Sequence, residues 1–325
     1  MSNVDEPLIS VALCTYNGER YLREQLDSLL AQTYRNIEVV VVDDSSTDRT
    51  IELLREYERR DTRLRVFVNP TNLGFVGNFE RAIALCNGAF IAPSDQDDIW
   101  LPHKLRTLAS RIGTHSMAYC DSELIDADGR ALGVSMSQFW AMQDLNDPAA
   151  FALSNCVSGH AMLFRRELLD AQSKLPKDVF HDWWLAARAA ALGGIVYCPE
   201  KLVRYRQHGK NVTDILKTHR ARAQRRPGSR MKTFDDTTMR LSSLTALDAP
   251  HGAFFNELHR LWLDSEQAWF APRLASFVWR HRHRIYQLRK RGQLSVLRKS
   301  LSHLFGVRLR RLLKPAKYAR VMVFM

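Results

Sequence analysis

The segment SDQDDIW, Ser94 to Trp100, sets three carboxylates within four positions directly after an apolar run. Asp95, Asp97 and Asp98 at that spacing raise one another's pKa or need a cation among them. If the segment is extended, Asp95 and Asp97 project to one side and Gln96 and Asp98 to the other. Two hard oxygen ligands suit Mg²⁺ or Mn²⁺, an ion that takes one or two protein carboxylates and completes its shell with phosphate and water. A diphosphate is then the fitting third party. A bare D-x-D can equally be a solvated acidic turn before a helix opened by Pro102. Its place after a buried run, with other acids at run ends, favours the ligand reading. In VVDDSSTDRT, Asp43 and Asp44 close a second apolar run. One of them can accept the N3–H of uracil or thymine, because a carboxylate only accepts. Ser46, Thr47 or Asp48 is expected to cap the following helix, which leaves the two acids unexplained.

The elements that must hold these residues alternate in period. ISVALCTYN is a short apolar run that suits a buried strand. RYLREQLDSLLAQTY places Leu22, Leu26, Leu29 and Leu30 at helical spacing. IEVVVVDD lacks polar alternation, as expected of a parallel strand covered on both faces. SSTDRTIELLREYERR then reads as a helix, LRVFVN as a strand, GNFERAIALC as a helix and AFIAPS as a strand. Such alternation predicts an α/β fold with a doubly wound, mainly parallel sheet. Ligands of such sheets bind beyond the carboxyl ends of the strands, where Thr15, Asn17, Asp43, Asp44, Asp95 and Asp97 all fall. Past residue 117 the pattern loosens. MAYCDSELI, CVSGHAMLFRREL and IVYCPEKLVRYRQHG contain expected strands, and DWWLAARAAALGG is an expected helix stopped by Gly193 and Gly194. RARAQRRPGSRMK reads as a loop or linker, and the chain beyond it as helical.

The 325 residues suffice for one large α/β domain with an extension. The net charge of +12 is unevenly placed. After Glu266 there are 15 Lys and Arg and no acid, so the first 266 residues hold 32 basic against 35 acidic residues. Charge segregated in this way argues against a nucleic-acid-binding body. Five scattered cysteines without a CxxC pair read as buried thiols of a reducing, cytoplasmic compartment. The acidic start is unlike a secretory leader. No run approaches the roughly 18 apolar residues of a membrane span.

Taken in order, VALCTYNGERYLREQLDSLLAQTY, VVDDSSTDRT, NPTNLGFVGNFERAI and SDQDDIW resemble an inverting family 2 glycosyltransferase with the GT-A nucleotide-sugar fold. SGHAMLFRREL, HDWWLAARA and YRQHGKNVT resemble that family's bacterial branch of cell-surface polysaccharide enzymes, often labelled rhamnosyltransferases, including those of O-antigen synthesis. The resemblance covers residues 8–213. It implies a catalytic domain over 1–215, with a nucleotide half to about residue 100 and an acceptor half after it, and a basic segment with a helical extension over 216–325. It places Cys14, Thr15 and Tyr16 against the nucleotide, Asp44 on the pyrimidine and Asp95 and Asp97 at the D-x-D, with Asp97 the metal ligand. It makes Asp182 the catalytic base and His208 a holder of the metal diphosphate. Cys14 departs from the hydroxyl residue expected there. Asp182 also stands at the start of an expected helix, where the dipole favours an ionised acid; an N-cap is the competing role. Gly74 and Asn78 are read as shaping a turn and a helix start. Trp183 and Trp184 are read first as packing. Ser158, Gly159, His160 and Trp183 are candidates for the acceptor side.

The expected activity is transfer of a sugar from a UDP- or dTDP-sugar to a glycan or lipid-linked acceptor, with Mg²⁺ or Mn²⁺. A sugar-1-phosphate nucleotidyltransferase would want a Gly-rich basic loop after the first strand, which CTYNGERY supplies poorly. A processive synthase would want Q-x-x-R-W and membrane spans. In the tail, Leu294, Leu297, Leu301, Leu304, Phe305, Leu309 and Leu312 recur at helical steps among Arg and Lys. That pattern predicts either packing on the catalytic domain or docking on an anionic membrane surface at the inner face of the cell membrane.

Overall fold

The computed structural model describes residues 6–169, 175–208, 230–290 and 292–312. The chain forms two compact units, one of residues 1–146 and 156–208, the other of 147–155 and 209–325.

In the first unit, β1 (Ile9–Thr15), β2 (Ile37–Asp43), β3 (Leu64–Val68) and β4 (Phe90–Ser94) lie in the order β3-β2-β1-β4, all parallel. Helices α1 (Leu22–Leu30), α2 (Thr50–Arg60) and α3 (Gly74–Ala84) connect them. Every residue of β1 and β2 is buried, as their unbroken apolar runs require of strands covered on both faces. Val39 and Val41 share a core cluster with Leu22, Leu26 and Leu29 of α1 and Leu54 of α2. Helix α3 packs against β1 and β2, burying Phe79 and Ile83. This is the doubly wound half that the period changes predict.

The other half mixes directions. The short strand β5 (Ile99–Trp100) and α4 (Lys104–Arg111) follow the acid cluster, and β6 (Met117–Ile125), β7 (Ala131–Ser135), β8 (Met162–Arg165) and β9 (Ile195–Arg206) complete the sheet. Its order continues β4-β8-β6-β9-β5, with β7 beside β6. Strand β8 is antiparallel to both β4 and β6, while β6 and β9 are parallel. Between them run α5 (Met136–Phe139) and α6 (His181–Leu192). Helix α6 ends at Gly193, and Gly194 takes a left-handed φ of 79°, the stop that its glycine pair predicts. All five cysteines are free and buried.

The second unit is helical among its described residues: α7 (Arg230–Leu244), α8 (His251–Gln267), α9 (Pro272–Arg280), α10 (Arg282–Ile285), α11 (Gln293–Ser302) and α12 (Val307–Leu312). Phe255, Leu258, Leu274, Val278, Ile285 and Leu288 form its interior. The Arg284 guanidinium binds the Asp147 carboxylate, tying α10 to the short turn at 148–151. The segment expected as a linker lies outside the described residues up to 229, and α7 begins at Arg230. Among the described residues no helix is long and apolar enough to cross a membrane.

Candidate active site

The carboxyl ends of β1, β2 and β4 meet at one edge of the sheet. Thr15, last in β1, donates its hydroxyl to Asp43 Oδ2 at 2.7 Å. Asp43 also accepts from the Ser46 amide at 2.8 Å and the Ser46 hydroxyl at 2.6 Å. Its carboxylate therefore ties β1 to the turn after β2. Asp48 accepts from the amide and hydroxyl of Thr50, while the N-cap position of α2 is Arg49 rather than Ser46, Thr47 or Asp48. Asn17 and Ser45 adopt left-handed φ angles of 48° and 65°, which non-glycine residues accept chiefly at functional turns. The Asn17 amide donates to Ser46 Oγ, and its side-chain oxygen accepts from the Thr47 amide, both at 2.8 Å. Gln96 reaches back across the edge. It accepts from the Tyr16 amide at 2.8 Å and donates to the Tyr16 carbonyl at 3.1 Å. Tyr16 itself is exposed.

Asp44 is buried and engaged on several sides. Its Oδ1 accepts from Asn69 Nδ2 at 2.6 Å and the Leu73 amide at 2.7 Å, and its Oδ2 accepts from the Gly74 amide at 2.9 Å. Gly74 can serve here because it holds a φ of 75°. Asn78 bridges the same region, donating to the Val42 carbonyl and accepting from Asn69. Asp44 thus holds the start of α3, and one acceptor position remains on its Oδ2.

The acid cluster does not alternate as an extended segment would. Residues 96 and 97 form a bend, and each acid finds a different partner. Asp97 Oδ2 lies 2.7 Å from His208 Nε2, and that imidazole stacks on Tyr21. Asp98 turns inward with no exposure; its Oδ1 accepts from the Arg206 amide at 3.0 Å. Asp98 Oδ2 lies 3.5 Å from His160 Nδ1, and Asp95 Oδ2 lies 3.8 Å from the same nitrogen. The structure therefore brings His160, expected on the acceptor side, to the carboxylates. Burial, then the charges of Asp97 and Asp95, raise the Asp98 pKa well above the ordinary carboxylate range. Two basic side chains are built in beside the cluster. Lys104 is fully buried, lies over the Trp100 ring and donates to the His160 carbonyl at 2.7 Å. The Arg206 guanidinium donates to the Asp97 carbonyl at 2.8 Å and to Glu24 at 2.5 Å. Burial draws the Lys104 pKa well below its ordinary value, against the opposing pull of Cys120, Asp98 and Asp95.

These residues fit a divalent cation. Ligand atoms of Asp95, Asp98 and His160 lie within 4.8 Å of one another, and Asp98 Oδ2 is buried without a hydrogen-bond partner. Two carboxylates and an imidazole form a donor set suited to Mn²⁺ or Mg²⁺.

Asp182 stands in the first turn of α6. The N-cap position is Phe180, so Asp182 is not the cap. It is half-buried, and desolvation raises its pKa to about 7. The charge of Asp95 acts in the same direction, while the backbone amides of Trp183, Gly159 and Asp182 itself oppose it by hydrogen bonding to the carboxyl. Asp182 and the acid cluster thus feel each other's charge. Burial, and then the charges of Asp95 and Asp44, raise the pKa of the Cys14 thiol well above its ordinary value. Ser158 and Trp183 are half-buried, and Gly159 is buried against His181. His181 stacks on Phe79 at 4.0 Å and packs near Phe75. Trp184 is buried as a packing residue. Sequence reasoning missed Asp98 and Lys104 as parts of the site. The signal for Lys104 was its place just behind the acids, as the first residue of the helix that follows β5.

The profile of the family described as Glycosyl transferase family 2 matches residues 10–172. An "uncharacterized glycosyltransferase" of Haemophilus influenzae is 28% identical over 222 residues, 64% of this chain and 68% of its own length. One of Nostoc sp. is 30% identical over 216 residues, 62% of this chain and 66% of its own. An "uncharacterized protein" of Mycobacterium tuberculosis is 30% identical over 219 residues, and the match takes in 62% of its length. Among solved structures, S. aureus TarS 1–349 in complex with UDP superposes with a TM-score of 0.55 at 20% identity, over 84% of this chain and 71% of that one. The mannosyltransferase PcManGT of Pyrobaculum calidifontis, in complex with GDP-Man and Mn²⁺, gives 0.50 at 19%, over 93% and 87%. At that identity the likeness shows the fold, a mixed α/β sheet of GT-A type. With its sequence matched over half its length and its strand-end acids in that fold, the chain belongs to glycosyltransferase family 2.

Proposed function

We propose that this glycosyltransferase is metal-dependent and inverting. It moves a hexosyl unit, rhamnose on the motif reading, from a UDP- or dTDP-sugar to a hydroxyl of a glycan or lipid-linked acceptor in cell-surface polysaccharide synthesis, the O-antigen type included. The observation that carries this reading is the placement of Asp182. Its carboxyl rests on the amides of Gly159 and Trp183, shares an electrostatic neighbourhood with Asp95 and titrates near 7. A base poised near neutral pH is matched to taking a proton from a hydroxyl.

In this reading the acceptor oxygen attacks the anomeric carbon while Asp182 takes its proton. The bond from that carbon to the diphosphate oxygen breaks on the opposite face. Single displacement needs one base and no covalent carboxylate. On the motif reading Asp97 and His208 would hold the divalent ion beside Asp95, and the cluster Asp95, Asp98 and His160, with ligand atoms within 4.8 Å of one another, supports a cation here. The ion's contribution, when bound, is charge that stabilises the departing diphosphate. The free acceptor position on Asp44 Oδ2 suits the imide N–H that uracil and thymine share. Cys14, Thr15 and Tyr16 form the wall under the nucleotide. Ser158, Gly159 and Trp183 stand on the acceptor side of the base. The division into a catalytic part, 1–215, and an extension, 216–325, goes with this reading. So does a place on the inner face of the cell membrane, since the segregated basic charge suits an anionic surface.

Asp182→Asn keeps the shape and removes the base. Donor binding by titration calorimetry should stay near normal while turnover falls roughly 10²–10⁴-fold. Normal turnover would put the base elsewhere. NMR of the product's anomeric configuration tests inversion directly.

A further inference from the structure

The C-terminal unit turns part of itself inside out. Along α11 and the turn after it, Ser300 and His303 face inward and are buried, His303 lying 3.1 Å from the Tyr286 hydroxyl. Leu294 and Leu301, seven residues apart and so on one face, are 83% and 52% exposed. Trp269 and Phe270, in the extended step between α8 and α9, are 43% and 59% exposed. An isolated exposed leucine needs no explanation, whereas polar groups buried while several large apolar side chains stand outside do.

The edge is firmly built. Phe270 pairs with Phe305 as an antiparallel bridge, and their rings lie 6.3 Å apart. The Ala271 amide donates to the Leu304 carbonyl at 2.8 Å and the Gly306 amide to the Trp269 carbonyl at 2.9 Å. A Cβ at Gly306 would lie 1.9 Å from the Ala268 carbonyl oxygen, so only glycine lets the two segments cross this closely. Basic side chains are set into the same edge. Arg298 is exposed between Leu294 and Leu301 on the same helical face, and the Arg308 guanidinium lies 5.1 Å from the Trp269 ring centre.

We propose that Trp269, Phe270, Leu294 and Leu301 form an interfacial edge that inserts into the headgroup region of an anionic bilayer. The inference rests on the membrane-surface reading above and names the surface that carries it. Charge selects the occupant. The sequence holds 15 Lys and Arg and no acid after Glu266. A second copy seated on this edge would bring the same sign of charge against it. Anionic headgroups are complementary, and each Lys or Arg near them adds to binding. Tryptophan and arginine side by side are what a membrane–water interface accommodates, with the ring at headgroup depth and the guanidinium among phosphates.

The test uses the full chain with vesicles of phosphatidylcholine alone and of phosphatidylcholine with phosphatidylglycerol, in sedimentation at low salt. The wild type should bind only the anionic vesicles. Phe270→Ser with Leu301→Ser should weaken that binding by at least about ten-fold, from the apolar surface no longer removed from water. Its Tm and its binding of UDP with Mn²⁺ should match the wild type. A second variant, Phe270→Trp with Leu301→Phe, keeps the edge apolar and should retain vesicle binding. Undiminished binding of the serine variant overturns the edge but leaves the membrane reading standing on basic charge alone. No binding by the wild type overturns both. So does self-association of the wild type, seen by analytical ultracentrifugation and lost in the serine variant, without vesicle binding.

Discussion

As the proposed base, Asp182 would carry two roles that pull against each other. Burial favours its neutral form, while a base must be ionised to act. With its pKa raised to about 7, kcat/KM should climb as pH rises from 5 to 8, with a midpoint near that value, in pH–rate profiles at constant ionic strength. A flat profile would mean that Asp182 does not limit the rate. The same shift has a stability consequence of definite sign. An acid whose folded pKa is raised contributes stability that is full below its unfolded value, 3.8, and is lost as pH climbs through about 7. Asp182→Asn removes that term. Its stability relative to wild type should therefore rise between about pH 4 and 7, measured by urea unfolding at several pH values. A neighbouring question is how three acids share so small a space. Bending at 96–97 separates Asp97, which meets His208, from Asp98, which goes inward to the Arg206 amide and His160.

At the scale of elements, the site depends on close crossings that glycine permits. Gly159 lies under the start of α6; a Cβ there would sit 2.7 Å from His181 Nε2 and 3.8 Å from Asp182 Cβ. His181 cannot yield easily, because it is stacked on Phe79. Gly159→Ala should therefore push the first turn of α6, and Asp182 with it, off the reacting position. Steady-state kinetics should show kcat reduced by about 10²-fold, the scale of a displacement near 1 Å, with donor KM little changed. An unaltered kcat would show that α6 tolerates the shift. Gly18 permits a matching approach at the end of β1, since Gln96 lies across it to reach the Tyr16 backbone. Strand β9 supplies the third brace: its last residue, Arg206, delivers an amide to Asp98 and a guanidinium to the Asp97 carbonyl just before His208.

At the scale of the molecule, the proposed site draws on residues 14–17, 44, 95–98, 158–160, 182 and 206–208, and donor with cation would bind only where the fold brings these together. Ligand that binds only the folded chain stabilises it by mass action, about 2.7 kcal/mol at a hundred-fold excess over Kd. For a chain of this size that raises Tm by roughly 4 °C. Differential scanning fluorimetry with UDP and Mn²⁺ should show such a rise. Asp97→Ala should lose the Mn²⁺-dependent part while keeping the unliganded Tm within a few degrees. A full metal-dependent rise in that variant would remove Asp97 from the ligand set.

The parallel half of the sheet was legible because its strands are covered on both faces, and that burial writes continuous apolar runs such as IEVVVVDD into the sequence. The strand-end acids were legible for the same reason: a buried strand that ends in Asp43 and Asp44 leaves them at its carboxyl end. Helix α6 and its glycine stop, and the helical character of the C-terminal unit, also followed from local pattern. What only the tertiary structure decided was which groups face one another. The 95–98 bend cannot be read from alternation, because its cause is the set of distant partners that the cluster meets, Tyr16, His208, Arg206 and His160. Asp44 is engaged by the 69–74 segment, a contact across about thirty residues that no local signal announces. The leucine repeat of the tail carried a helix but not its orientation. Only packing showed that Ser300 and His303 go in while Leu294 and Leu301 stay out, because a period marks a face and the neighbours decide where that face turns.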